Sequence, residues 1–379
     1  MKKFKKWMLA LLTAIFSLVS MMLIMMFLCW GVLQVGTPKN IAQENPAALG
    51  IMDRFDMQMT NQISNALDGV LSIEKVYWLN DSDLIAPEPN PEKAGVTTNP
   101  ADLADFLEEA KDILKGQETL FSTQTKTYQN TEIHYYLDET IMVITWREVR
   151  DRCVYTISEV KIAHPSQFRR FVSDGVYGSD KRYLTTEMAE TVNAVTASSG
   201  DYYKFRPYGI SVHEGQVMRF DNRIDTCYIT DQGDMIFSRI GELNSQEEAQ
   251  KFVDDNHVRF SVSFGPILVD NYEKVDIKGY PLGEPEGWYP RAALCKMDEL
   301  HYLVVLANED PGRGLTNVPT IKAFGDVVYS FGVEKAYALD GGQTAAVVTN
   351  DKLVNRPSYG YQRAISDIIY FATAVPNGG

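Results

Sequence analysis

Two apolar strands flank one amphipathic helix near the C-terminus, and that order restricts the chain more than any other feature. "LHYLVVLA" closes a hairpin. "TIKAFGDVVYSFG" then puts Ile321, Phe324, Val328 and Phe331 on one helical face and stops at Gly332. "KAYAL" follows as a second strand. Strand, helix and strand in this order predict a right-handed βαβ crossover with parallel strands. The second strand runs into Asp340-Gly341-Gly342, which places a carboxylate and two residues without Cβ at a strand's C-terminal end. In open α/β sheets ligands bind at that edge, and glycines let a backbone approach them closely.

The rest of the C-terminal part is strand-rich from Glu132 onward. "IMVITW" and "CVYTISEVKI" read as sheet strands. Hairpins are expected in "YGISVHEGQVMRF" at Glu214-Gly215, in "CYITDQGDMIF" at Asp231-Gln232-Gly233, and in "RAALCKMDELHYLVVLA" at Asp298-Glu299. "SQEEAQKFVDD" opens with Ser245 and Glu248 at capping-box spacing, which predicts a short helix. Upstream, "NPADLADFLEEAKDILKG" predicts one helix capped by Asn99, begun at Pro100 and ended at Gly116, its apolar stripe packing against the later domain. "APEPNPEKAG" reads as an extended connector.

The N-terminus differs in kind. Lys2, Lys3, Lys5 and Lys6 precede a stretch with no charged residue before Lys39. Trp7 to Val35 exceeds the roughly 20 apolar residues that span a bilayer, and no small-residue cleavage site follows it. This predicts a single-pass transmembrane anchor with its lysines in the cytoplasm and the C-terminal domain extracellular, at the cell membrane. The expected organisation is 1–37 anchor, 38–129 membrane-proximal helical and linker region, and 130–379 an α+β domain with a mixed β-sheet core and flanking helices. The chain carries a net charge of −14, more negative still without those lysines, and that argues against a nucleic-acid partner. Cys153, Cys227 and Cys295 are too few for a disulfide framework and lack metal-type spacing.

Common catalytic signatures are missing: no G-x-S-x-G elbow, no phosphate-loop pattern and no H-E-x-x-H. Polar residues at strand and loop ends remain. Asp340 precedes its glycines, Arg291 begins a strand, Arg363 begins the last one, and "SGDYYKFRPYG" holds Asp201 and Arg206.

These blocks, with "TIKAFGDVVYSFGVEKAYALDGGQTAAVVTNDKLVNRPSYGYQRAISDIIY" and "NAVTASSGDYYKFRPYGISVHEGQV", resemble the phosphodiester glycosidase family in its bacterial, exopolysaccharide-associated form. The resemblance covers Val192 to about Ala374. It implies a hydrolase that cuts the glycosidic bond of a sugar-1-phosphodiester in a cell-envelope or exopolysaccharide glycan. Residue by residue, it implies catalytic roles for Asp340 and Asp201. Substrate binding falls to Arg291, Arg363, Arg206, Gly341, Gly342 and Thr344. Two guanidiniums suit phosphate oxygens, and a carboxylate pair suits acid–base work at an anomeric carbon. No metal is implied and no cofactor is identified. Ser199, Ala338 and Ala345 stand where the family carries other, mostly polar, residues. They favour the alternative of an inactive glycan-binding or polysaccharide-assembly module on the same fold.

Overall fold

The computed structural model describes residues 77–80, 83–123, 131–201, 203–281 and 287–376. The expected anchor, 1–37, lies outside the described residues. Among the described residues no helix is long and apolar enough to cross a membrane. The expected membrane anchor, membrane partner and extracellular single-pass location thus have no support among the described residues.

A nine-stranded sheet carries the architecture. Its strands lie in the order Ala94–Thr97, Ile133–Leu137, Ile141–Arg150, Cys153–Ile162, His301–Asn308, Arg291–Asp298, Lys335–Leu339, Ile267–Asp270 and Glu273–Lys274. The expected mixed sheet is corrected here, because every pairing in it is antiparallel. Hairpins fix most of that order. The long pair Ile141–Arg150 and Cys153–Ile162 turns on Asp151 and Arg152, both at positive φ. The His301–Asn308 strand is already hairpinned to Arg291–Asp298, so Lys335–Leu339 cannot take that edge. The crossover helix therefore carries the chain over Arg291–Asp298 to its far side. His301–Asn308 and Lys335–Leu339 run in the same direction with one antiparallel strand between them.

One face of this sheet is covered by helices. Ile321–Tyr329 is capped by the Thr320 side chain, which accepts from the Ala323 N–H. Its Ile321, Phe324 and Val328 are buried. Each such side chain is worth about 1.5–3 kcal/mol in burial, against about 1 kcal/mol for a cap, so the stripe holds the helix. The expected helix from Asn99 to Gly116 is broken into Pro100–Leu103, Ala104–Glu109 and Lys111–Leu114. Its Leu103, Ile113 and Leu114 still pack against Trp146, Ile157 and Leu303. The connector before it ends in a short turn and the edge strand Ala94–Thr97.

The other face meets two smaller sheets. One runs Lys352–Leu353, Val347–Thr349, Thr196–Ser199, Asp367–Phe371, Phe168–Val172; the other runs Met235–Ser238, Thr226–Thr230, Val258–Val262. Val143, Val160, Leu294 and Tyr337 from the large sheet interdigitate with Phe168, Val347, Ile369, Ile229 and Val262. The hairpins at 214–215, 231–233 and 298–299 and the helix Gln246–Asp255 form as expected. Cys153, Cys227 and Cys295 are free and buried. Burial pushes the Cys153 thiol up to about 12, so it serves as an apolar filler rather than a nucleophile.

Candidate active site

Asp340 leaves the buried Lys335–Leu339 strand at its C-terminal end and keeps partial contact with solvent. Thr344, buried four residues on, orients it: its Oγ1 lies 2.9 Å from Asp340 Oδ2 and 2.5 Å from the Gly341 carbonyl. One hydroxyl hydrogen cannot serve both acceptors at once. When it goes to Gly341, the oxygen is left to accept from a protonated Asp340, so Thr344 fits both states of the carboxyl. Low-dielectric surroundings push the Asp340 carboxyl up to about 6. The Thr344 hydroxyl and the charges of Arg206 and Arg363 pull it down, and Asp201 pushes it further up.

Two of those charged residues, Asp201 and Arg206, are tied to the Asp340 strand by one short segment. Ser263 donates its N–H and hydroxyl to Asp201 Oδ2, at 2.7 and 3.1 Å. The Phe264 ring lies 4.3 Å beneath the Arg206 guanidinium. The Gly265 N–H bonds the Ala338 carbonyl, two residues before Asp340. Ser263, Phe264 and Gly265 thus tie the Asp201 loop to the Asp340 strand. Arg206 Nη1 is buried and has no hydrogen-bond partner among the described residues. A buried guanidinium nitrogen left open is costly unless something else satisfies it. Arg363 is exposed, and it sits in the loop four residues before the strand Asp367–Phe371 rather than at its start.

Other expected site residues take different parts. Asp201 is wholly buried, and four hydrogen bonds fill its oxygens: Arg170 Nη2 at 2.9 Å, the Tyr203 N–H at 3.0 Å, and both Ser263 donors. It positions its loop. Arg291 begins its strand beside the Asp340 edge, but its guanidinium donates to the Gly287 carbonyl at 2.7 Å and lies over Tyr289. Burial lowers its pKa. Gly341 is required by its own neighbour strand, since a Cβ there would stand 2.3 Å from the Pro290 carbonyl oxygen. Gly342 has φ +64 with open space around its Cβ position, and its N–H bonds Pro290 O at 2.9 Å. The second glycine turns the chain; the first admits a backbone, not a ligand.

Arg170 and Asp367 were missed by sequence reasoning. Arg170 is buried between Asp201 and Asp367, 2.9 Å from each, and also donates to Ser261 O. Burial beside Asp201 raises the Asp367 pKa, while Arg170 opposes it. The available signal was charge inside an apolar strand, two arginines in "FRRFV" and one aspartate in "SDIIYF". Gly200 belongs to this cluster, because a Cβ there would stand 2.0 Å from Asp367 Oδ2. A separate cavity of about 450 Å³, lined by Arg170, His213, Arg259 and Tyr370, includes none of Asp340, Arg206 or Arg363. Among the described residues no group of three or more His, Cys, Asp or Glu could hold a metal ion.

Residues 190–372 match the phosphodiester glycosidase family. No match to a curated protein is found. Among solved structures, the chain is similar to the catalytic domain of zebrafish N-acetylglucosamine-1-phosphodiester alpha-N-acetylglucosaminidase auto-inhibited by its pro-peptide. The identity is 16% and the TM-score 0.49, over 66% of this chain and 87% of that one. It is also similar to a hypothetical protein from Synechocystis at 12% identity and TM-score 0.48, spanning 61% of this chain and 62% of that one. The domain has a phosphodiester-glycosidase-like fold at low identity.

Proposed function

We propose that the domain hydrolyses the glycosidic bond of a sugar-1-phosphodiester, with Asp340 as the proton-transferring group and Arg206 and Arg363 holding the phosphate. The observation that carries this reading is Asp340 itself, a partly solvated carboxyl raised to about 6 in the charge field of two arginines. A general base works best with a pKa near the working pH. Water attacks the anomeric carbon and gives its proton to Asp340. The C1–O bond breaks, its electron pair goes to the phosphate oxygen, and the products are the free sugar and a phosphomonoester. The phosphate gains negative charge as it leaves, and fixed guanidiniums stabilise charge that develops there. Asp201 is a positioning residue in this scheme, because its four hydrogen bonds leave it no acceptor to spare.

The buried state of two altered positions favours turnover over the binding-module alternative. Ala338 and Ala345 lie in the apolar cores on the two faces of the large sheet, 1% and 0% exposed. Polar groups missing there are not stripped from the surface around Asp340. The test is release of reducing sugar from alkyl-capped N-acetylglucosamine 1-phosphate and its hexose analogues. Asp340→Asn should lower kcat by on the order of 10²-fold or more while the fold is kept. A wild-type chain that releases no sugar from any member of the set would leave the binding-module reading in its place.

A further inference from the structure

Among the described residues, the segments around Arg206, Arg291 and Arg363 carry six of the nine exposed Trp, Tyr and Phe side chains. Phe205 and Tyr208 flank Arg206, Trp288 and Tyr289 precede Arg291, and Tyr359 and Tyr361 precede Arg363. Among the described residues only three other Trp, Tyr or Phe side chains, Trp78, Tyr272 and Tyr329, are exposed to a comparable degree. Trp288 is 68% exposed and Tyr359 77%. Tyr359 is also held at φ +62, a conformation that costs a non-glycine residue free energy and that here turns a large ring to solvent.

Hydrogen bonds join two of the loops to the Asp340 turn. Pro290 O accepts the Gly342 N–H, and the Arg363 N–H reaches Gln343 O. Guanidiniums already occupy one side of two rings, Arg223 over Tyr208 at 4.4 Å and Arg291 over Tyr289 at 5.4 Å. Two of these loops thus meet the Asp340 turn, and the third is tied to its strand through Phe264 and Gly265. Exposed aromatic residues and arginines therefore alternate along the chain in segments linked to Asp340, on an otherwise acidic protein. Exposed apolar area gathered at one place marks an interaction site more often than chance scatter does.

We infer that these segments form a rim that binds the sugar rings on either side of the scissile phosphodiester, so that the substrate is an extended, phosphodiester-linked glycan and not a small sugar phosphate. The inference rests on the reading of Asp340 proposed above. A sugar ring presents an apolar C–H face that packs on an aromatic plane, with hydroxyls at its edge. A phosphodiester link supplies one negative charge between rings, matching cations set between aromatics. Single-stranded nucleic acid shares stacking and phosphate, but it carries a charge at every unit and meets a chain of net charge −14. A glycan with occasional phosphates suits the acidic surface better.

The test is native affinity electrophoresis of the full-length chain through a hexosamine-1-phosphate-linked capsular polysaccharide. Dissociation constants are then measured for fragments of one to four repeats of that polymer. The wild type should be retarded, with affinity improving on the order of tenfold from the shortest to the longest fragment, as about 1.4 kcal/mol of added contact would give. In the double variant Trp288→Ala/Tyr361→Ala the improvement should fall below about threefold. Trp288→Phe/Tyr361→Phe, which keeps both rings, should restore most of it. Unretarded wild type overturns the inference, as do variants that match it. Preference for a single-stranded oligonucleotide, or a concentration-dependent dimer abolished by Trp288→Ala, does so as well. Retardation of a wild type that releases no sugar sinks only the hydrolase reading. Hydrolysis of the short phosphodiester without retardation sinks only the rim.

Discussion

Asp340 and Asp201 come from neighbouring parts of the fold and bear on each other electrostatically, yet they are opposite kinds of carboxylate. Asp340 is partly solvated, held by one hydroxyl, and pushed up to about 6. Asp201 is sealed, with every oxygen occupied and Arg170 locked between it and Asp367. A catalytic group must change protonation and partners during turnover. A structural one must not. The proposed chemistry thus falls to the residue with fewer hydrogen bonds, and the buried cluster holds the loop that carries Arg206.

The largest expected effect lies in the buried cluster. Arg170→Met leaves Asp201 and Asp367 without their shared cation, and breaking a buried pair costs about 3–5 kcal/mol. Urea unfolding should register that loss, while Asp340→Asn should move the midpoint little and abolish turnover instead. If Arg170→Met unfolds within about 1 kcal/mol of wild type, the cluster is not structural and the comparison breaks. Gly200→Ala should act in the same direction and less strongly. Its Cβ would meet an Asp367 carboxylate that Arg170 keeps from moving, and overpacking of this kind costs about 1–3 kcal/mol.

Two pH measurements separate the regions next. Asp340 as a base must be ionised, so log kcat/KM should rise with pH and level off with a midpoint near about 6; a falling limb there would make it the acid. For stability the sign follows from the raised folded values of both Asp367 and Asp340. A carboxyl whose pKa rises on folding binds protons more tightly in the native state. Its stabilisation is full below the ordinary aspartate value and is lost as pH climbs through the folded one. The urea midpoint should therefore be higher at pH 5 than at pH 8. Asp367→Asn should narrow that difference, and a variant with an unchanged gap would contradict the assignment.

Sequence patterning made much of this visible for a physical reason. Hairpins are local, so alternating strands with glycine or acidic turns announced themselves, as did the stripe of Ile321, Phe324 and Val328. The same patterning placed Asp340 at a strand end. Long-range pairing is not local. The expected parallel direction of "KAYAL" relative to His301–Asn308 holds, but nothing within "KAYAL" states that Arg291–Asp298 lies between them. Arg170 and Asp367 were hidden similarly, since neither strand names its partner and only the sheet brings them within 2.9 Å. The anchor expected over 1–37 lies outside the described residues, and no described helix can cross a membrane.

The smallest effect concerns the glycine that first drew attention to Asp340. Gly342 has room for a Cβ but a left-handed backbone, and its N–H is bonded to Pro290 O. The penalty for substitution is therefore one of φ, not of space. Gly342→Ala should cost about 1–2 kcal/mol of stability, the price of a left-handed alanine. Gly342→Asn should cost visibly less, because asparagine tolerates that conformation. At Gly200 the order reverses, since there any side chain meets Asp367 and the larger one does so harder. Urea midpoints for the four variants decide the matter. If Gly342→Asn is as damaging as Gly342→Ala, the φ argument fails. If instead both leave stability alone but raise KM for the phosphodiester, the open space beside Gly342 belongs to the substrate.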